Sequence, residues 1–264
     1  MPETALRSPV PPHPAATLIL LRDGPEGLEV LVMERHAGLR FAPGATVFPG
    51  GRLEPADHDP LWRARWPDGE PPADLAHRVA AVRECAEECG ILLTQDPLPP
   101  SSLAGLRRSL AAGEGFADAL ARAGAAPAFD RMAVMARWVT PETLPRRFDT
   151  LFLLAPAPDG QEPKGDGGEA VGTLWASPCR LLAEEEAGRC RLVFATRMTL
   201  LRLAGCADTA AAMACAAIPL GPHAGLPPPI LPCLVDTAAG PVYRIPAGCG
   251  FSPLETAAEH VRLG

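Results

Sequence analysis

The stretch Arg83-Glu84-Cys85-Ala86-Glu87-Glu88-Cys89-Gly90 decides how the rest of the chain is read. Apolar VAAV precedes it, ILL follows it, and Gly90 supplies a helix stop. On a helix, Glu84, Glu87 and Glu88 stand at i, i+3 and i+4, so all three carboxylates project from one face. Like charges that close repel, and only Arg83 lies beside them to compensate. Either the face is simply solvated, the common fate of glutamates, or a cation from outside the chain neutralises it.

Upstream, Asp74 can cap a helix running from Leu75 to Cys89. Before that, residues 54–73 are acidic and proline-rich, carry Trp62 and Trp66, and read as an irregular insertion in which the tryptophans cover a small core of their own. FAPGATVFPGG implies a short strand around Thr46 to Phe48 that runs into a tight glycine loop. ATLILLRD and LEVLVMER, separated by GPEG, read as a β-hairpin. Downstream, Ser102 to Ala123 is helical with interruptions at Gly113 and Gly115, and MAVMARWV, RRFDTLFLLA and VGTLWA are strands. The last third is alanine- and leucine-rich, mostly helical, with a late hairpin at LVDTAAGPVYRIP.

Strands around one helix, with helices added later, make the fold class α+β: a mixed β-sheet packed between helical layers. The expected organisation is a flexible proline-rich tail over 1–14 and a single domain over 15–264. That domain carries an insertion at 55–73, a helical insertion at about 98–128 and a mostly helical C-terminal extension from about 177 to 264.

Composition narrows the partners. The 264 residues are 47% hydrophobic, enough for a sizeable core, and the net charge of −7 with pI near 5.4 argues against nucleic acid. A small phosphorylated ligand stays compatible with a local basic pocket. The eight cysteines contain no C-x-x-C pair and no His partner at zinc spacing, and read as small, reduced core residues. AATLILL and TAAAMACAAIPL are too short to span a bilayer, so the expectation is a cytoplasmic protein with no membrane partner. A homodimer is left open.

The cation suited to clustered carboxylates is Mg²⁺ or Mn²⁺, which bind through carboxylates together with substrate phosphates. The flanks carry that choice further. Phe48-Pro49-Gly50-Gly51 and then Arg83-Glu84-Cys85-Ala86-Glu87-Glu88-Cys89-Gly90-Ile91 resemble the Nudix hydrolase box, G-x5-E-x7-R-E-U-x-E-E-x-G-U, with U aliphatic and Cys85 a small apolar stand-in. Arg83 lies 32 positions after Gly51 where the pattern allows 14, so 18 extra residues sit inside the box. Counted back from Arg83, the pattern's first glutamate falls on Leu75, its role lost or taken by Glu70 or Asp74.

The resemblance implies a Nudix-type α/β/α sandwich and a metal-dependent hydrolase of nucleoside diphosphate-linked small molecules. It implies that Glu84, Glu87 and Glu88, with the Gly50 carbonyl, bind the metal, and that Arg83 orients a glutamate. Glu169, at the end of a glycine-rich loop, is the fourth carboxylate, either completing the metal shell or acting as general base; Glu84 is the other candidate base.

A second resemblance is to the coenzyme A-cleaving branch, in its peroxisomal form with an insertion inside the box. Leu31, Arg35, Arg40, Gly44 and Phe48 to Gly51 match its upstream motif, with departures at Met33 and His36. Arg35 and Arg40 are then candidates for binding substrate phosphates. The implied reaction cleaves coenzyme A or acyl-coenzyme A to adenosine 3′,5′-bisphosphate and a 4′-phosphopantetheine product. The alternatives are ADP-ribose, NADH, dinucleotides or nucleotide sugars as substrate, or a catalytically silent nucleotide sensor. Arg146, Arg147, Phe148 and Trp175 read as solvated or core residues.

Overall fold

In a computed structural model that describes residues 10–39, 42–67, 69–216 and 225–257, the central feature is a strand buried on both sides. This is β1, His13–Gly24, in which Ala16, Leu18 and Leu20 enter one apolar cluster and Ile19 and Leu21 enter another. A strand covered on both faces reads as a nearly continuous apolar run, which is why ATLILL shows no polar alternation. It turns into β2, Gly27–Arg35, as an antiparallel hairpin in which Leu21 faces Val30 and Gly24 faces Gly27.

The remaining strands of this sheet are β3 (Thr46–Val47), β4 (Gly50–Arg52), β5 (Ala133–Val139), β6 (Phe148–Pro156) and β7 (Ala170–Ala176). The order is β3-β2-β1-β6-β5, with β4 beside the start of β1 and β7 beside β2. β1 and β6 pair in parallel and the other pairs are antiparallel, so the sheet is mixed, as the sequence implies.

Between β4 and the next long helix lie a 3₁₀ turn at Pro55–His58 and the single turn α1 (Leu61–Ala64). One face of the sheet is then covered by α2 (Leu75–Cys89), α3 (Pro100–Ala111) and α4 (Phe116–Ala123). The other face carries α5 (Pro178–Glu186), α6 (Phe194–Leu203) and α7 (Thr209–Ala216). A small second sheet follows, of β8 (Cys233–Thr237), β9 (Gly240–Arg244) and β10 (Glu255–Ala257). Among the described residues no helix is long and apolar enough to cross a membrane.

Helix α2 has the bounds the sequence suggests and ends on Gly90 in the left-handed conformation, φ 65°. Val79 and Val82 are fully buried beneath it, each contributing about 1.5–3 kcal/mol of apolar burial. Its start differs from expectation. Asp74 makes no side-chain cap; it accepts from Arg78 Nε at 3.0 Å, while Arg78 Nη1 donates to the Phe129 and Met132 carbonyls, both at 2.8 Å. The helix end is thereby tied to the chain that leads into β5.

Three further expectations shift. The strand begins at His13, so part of the segment expected as a tail is ordered by pairing with β6, while residues 1–9 lie outside the described residues. Trp62 does not cover a core of the insertion alone: it is 2% exposed and packs on Phe116 and Phe129 with centroids 5.8 Å away. The insertion is therefore pinned into the main core. Of the eight cysteines, all free thiols, Cys85 and Cys89 are buried and Cys190, Cys206 and Cys249 pack half-buried against the second core cluster, but Cys179, Cys215 and Cys233 are exposed, so the core assignment fails for those three.

Candidate active site

A cleft of about 1130 Å³ opens where the starts of β1 and β6 meet the end of β5. The pairing lays three rows across its floor: His13, Phe148 and Thr140, then Ala15, Thr150 and Trp138, then Thr17, Phe152 and Ala136. All but Ala136 line the cleft. Val193, Phe194 and Ala195 at the start of α6 form part of its wall. Phe148 was read from sequence as a core residue; it is half-buried on this floor. Trp138, in the segment Trp138-Val139-Thr140-Pro141 that also resembles the coenzyme A-cleaving branch, meets Phe194 edge-on at 5.7 Å, and no local motif marks Phe194.

At the opposite end stand Arg35, Gly50, Gly51, Arg83, Glu84, Glu87 and Glu169. Glu88 is buried behind them and accepts the Gly50 N–H at 2.9 Å. The paired glycines permit this approach. A Cβ on Gly51 would meet the Glu84 carboxylate at 2.4 Å, and one on Gly50 would meet the Ala16 carbonyl oxygen at 2.4 Å. The Arg40 candidate lies outside the described residues.

Arg83 is the hub. Its Nη1 donates to Glu84 at 2.9 Å and Glu87 at 3.1 Å, and its Nη2 to the Arg52 carbonyl at 3.1 Å. Nε and Nη2 together grip Asp57 at 3.0 and 2.9 Å. Burial opposes the Arg83 charge, but the Asp57 bonds and the surrounding carboxylates more than reverse that, and its pKa is raised. The guanidinium thus bonds to two of the three α2 glutamates and to Asp57.

Asp57 was missed, and it corrects two expectations. Neither Glu70 nor Asp74 bonds to Arg83; Glu70 pairs with Arg63 and Asp74 with Arg78. The signal was available by counting forward, since Gly51 plus five residues places Asp57 at the first acidic position of the G-x5-E pattern. The extra residues therefore fall after Asp57, not after Glu54. Asp57 also accepts the Glu54 N–H at 2.8 Å, which fixes the 3₁₀ turn that delivers it.

Burial pushes the Glu84 carboxyl up to about 7, with Arg83 opposing and Glu87 and Glu169 reinforcing the shift. Burial also raises Glu87, and raises Glu88 strongly, with the charge of Glu84 adding to it and the Gly50 N–H and Arg35 opposing. Glu169 is largely exposed at the cleft, with Oε2 3.5 Å from Arg35 Nη2.

Among the described residues, no group of three or more His, Cys, Asp or Glu side chains is arranged to hold a metal ion. Glu84 and Glu87 turn onto Arg83 and Glu88 onto Gly50. The donor chemistry nevertheless fits a hard divalent cation: the oxygens are carboxylates, and burial and mutual repulsion make each one costly to ionise until positive charge arrives.

This sandwich, with an acidic helix docked beside a glycine loop, defines a Nudix hydrolase fold. A crystal structure of a Nudix hydrolase from Alicyclobacillus acidocaldarius superposes with TM-score 0.66 at 33% identity, over 81% of this chain and 99% of that one. The chain belongs to the Nudix hydrolase family, a family of diphosphatases. It is also similar to acyl-coenzyme A diphosphatase NUDT19 of Homo sapiens, 30% identical over 227 residues, 67% of this chain and 58% of that protein. The Gallus gallus protein of the same name is 29% identical over 213 residues, 59% of this chain and 55% of that one. The chain thus spans a little over half the length of these two curated relatives. No protein-family model matches it.

Proposed function

We propose that this chain is a divalent metal-dependent diphosphatase that hydrolyses coenzyme A or acyl-coenzyme A, giving adenosine 3′,5′-bisphosphate and 4′-phosphopantetheine or its acylated form. The observation that carries it is the convergence, in one cleft, of Glu84, Glu87, Arg35 and Glu169 with a sheet floor that mixes aromatic and small polar side chains. A diphosphate needs the first set. The floor offers length for a bulky, partly apolar group attached to it. Both named relatives, described as acyl-coenzyme A diphosphatases, support the substrate choice.

Glu84, Glu87 and Glu88, with the Gly50 carbonyl, would hold Mg²⁺ or Mn²⁺, which when bound neutralises the diphosphate and acidifies the attacking water. Arg83 holds Glu84 and Glu87 and does not touch substrate, since its donors are spent on Asp57, Glu84, Glu87 and Arg52. Arg35, beside Glu169, binds the diphosphate. Glu169 is the general base: it is the least engaged of the four carboxylates, held by one long ion pair. Arg40 is left to meet the 3′-phosphate. Losing such a charged contact costs about 1.5–3 kcal/mol, roughly ten- to a hundredfold.

The test is a product-resolved screen with Mg²⁺ and with Mn²⁺ of coenzyme A, acetyl-coenzyme A, dephospho-coenzyme A, ADP-ribose and NADH. Coenzyme A and its thioester should be cut fastest, with adenosine 3′,5′-bisphosphate as the nucleotide product. Intact coenzyme A alongside cleaved ADP-ribose or NADH would remove the substrate assignment and keep the diphosphatase.

A further inference from the structure

Glu169 stands one residue before β7, on a loop with no secondary structure of its own, yet a general base must be held to within a fraction of an ångström. What holds it is Asp166. Its Oδ1 accepts three consecutive backbone N–H groups, from Gly168 at 3.1 Å, Glu169 at 3.1 Å and Ala170 at 2.8 Å, and its Oδ2 faces the Glu169 N–H at 3.2 Å. The Asp166 N–H donates to the Glu88 carbonyl at 3.2 Å, and two residues earlier the Lys164 N–H donates to the Cys89 carbonyl at 2.8 Å. One residue therefore bonds to the last turn of α2 through its amide and to the Glu169 backbone through its carboxylate.

The surrounding backbone is built for this. Gly167 has φ +78°, and a Cβ on Gly165 would meet the Ala170 carbonyl oxygen at 2.5 Å, so the loop closes on itself only with glycine at both places. From the other side the His36 N–H donates to the Glu169 carbonyl at 2.9 Å. Helix stability does not explain the carboxylate. An anion beside a helix C-terminus is electrostatically unfavourable, and here three N–H groups offset that cost in a place that shapes the loop.

We infer that Asp166 is a positioning residue: it carries the position of the last turn of α2 to Glu169, so that Glu169, Glu84 and Glu88 move as one unit. This rests on Glu169 acting in the reaction. The Asp166 carboxylate touches no reacting atom; its effect passes through the Glu169 backbone.

The experiment measures kcat, KM and thermal unfolding for Asp166→Ala, Asp166→Asn, Glu169→Gln and the double variant Asp166→Ala/Glu169→Gln, on the substrate the wild type cleaves fastest. Asp166→Ala should lower kcat about ten- to a hundredfold with KM changed less than about threefold. Asp166→Asn keeps an oxygen for the same N–H groups and should recover most of that loss. The double variant should be no slower than Glu169→Gln alone, because the first change has nothing left to position. Wild-type kcat in Asp166→Ala beside a slow Glu169→Gln would overturn the inference, as would two effects that multiply. Loss in Asp166→Ala that follows a lowered unfolding midpoint and is not recovered by Asn would also overturn it, leaving a purely structural role. A Glu169→Gln variant at wild-type rate would instead remove the general-base assignment on which the inference stands.

Discussion

Asp57 and Arg83 lie 26 residues apart in the chain and meet as a buried, doubly bonded ion pair, Nε to Oδ1 at 3.0 Å and Nη2 to Oδ2 at 2.9 Å. The same guanidinium holds Glu84 and Glu87, so the 3₁₀ turn just before the extra residues reaches the site through one carboxylate. Asp57→Ala leaves a buried guanidinium with its best partner gone, at a cost of about 3–5 kcal/mol. Urea unfolding should show that loss, and kcat should fall with it. Asp57→Asn, which keeps an accepting oxygen, should lose less on both measures. An Asp57→Ala protein of wild-type stability would show that the pair is not holding this turn against α2.

The pH dependence follows from carboxyls raised by burial. The unfolded chain releases these protons near the ordinary glutamate value, 4.5, while folded Glu84 keeps its proton to about 7 and Glu87 and Glu88 are also raised. Between those pH values the folded state binds more protons than the unfolded one, so metal-free stability falls as pH rises from 4.5 through 7. A bound cation must displace those protons. The rise in unfolding temperature caused by Mg²⁺ or Mn²⁺ should therefore be larger at pH 7.5 than at 5.5. Equal shifts at the two pH values would place the bound ion away from these glutamates.

The paired glycines should fail in different ways. In Gly51→Ala the obstacle is the flexible Glu84 carboxylate, at 2.4 Å, so the side chain is displaced while the backbone stays. Activity should drop by at least about tenfold with little change in unfolding temperature. In Gly50→Ala the obstacle is the Ala16 carbonyl oxygen, also at 2.4 Å, so the β1–β4 pairing is disturbed and unfolding temperature should fall. Circular dichroism melts and initial rates on the two variants check the contrast.

The two arginines should separate in substrate space. On the proposed diphosphate role, Arg35→Ala should reduce kcat/KM by roughly ten- to a hundredfold on every diphosphate substrate alike. Arg40→Ala should act selectively, lowering the preference for coenzyme A over dephospho-coenzyme A while sparing the latter. Parallel kcat/KM measurements on the two substrates settle it; a uniform loss in Arg40→Ala would count against a 3′-phosphate contact.

Glu169→Gln should slow turnover far more than Glu186→Gln. Glu186 is exposed at the end of α5 and does not line the cleft. Equal, small effects in a steady-state assay would return the base role to Glu84.

Helix α2 was legible to its termini because its signals are local: apolar periodicity, three glutamates on one face and a glycine stop. The β1–β2 hairpin was legible for the same reason. Asp57 was not, because its partner lies across an insertion of arbitrary length, and counting back from Arg83 lands on Leu75, which packs in the core. Trp62 was misplaced because a tryptophan in a polar segment does not reveal which core it enters. The cleft floor depends on β1 pairing in parallel with β6, a contact between distant segments that no periodicity encodes. Asp166 was invisible for another reason: it acts through backbone N–H groups, which every residue carries, so no pattern of side chains announces it.

The central claim is that the α2 glutamates hydrolyse the diphosphate of coenzyme A with the help of a divalent cation. It is tested most directly by following coenzyme A by ³¹P NMR with Mg²⁺, using wild type and Glu88→Gln in parallel. In wild type the two diphosphate resonances should give way to two new phosphomonoester resonances, those of adenosine 3′,5′-bisphosphate and 4′-phosphopantetheine. Glu88→Gln should be slower by roughly two orders of magnitude or more while folding normally. Unchanged coenzyme A with the wild type, or a Glu88→Gln protein that keeps pace with it, would contradict the claim.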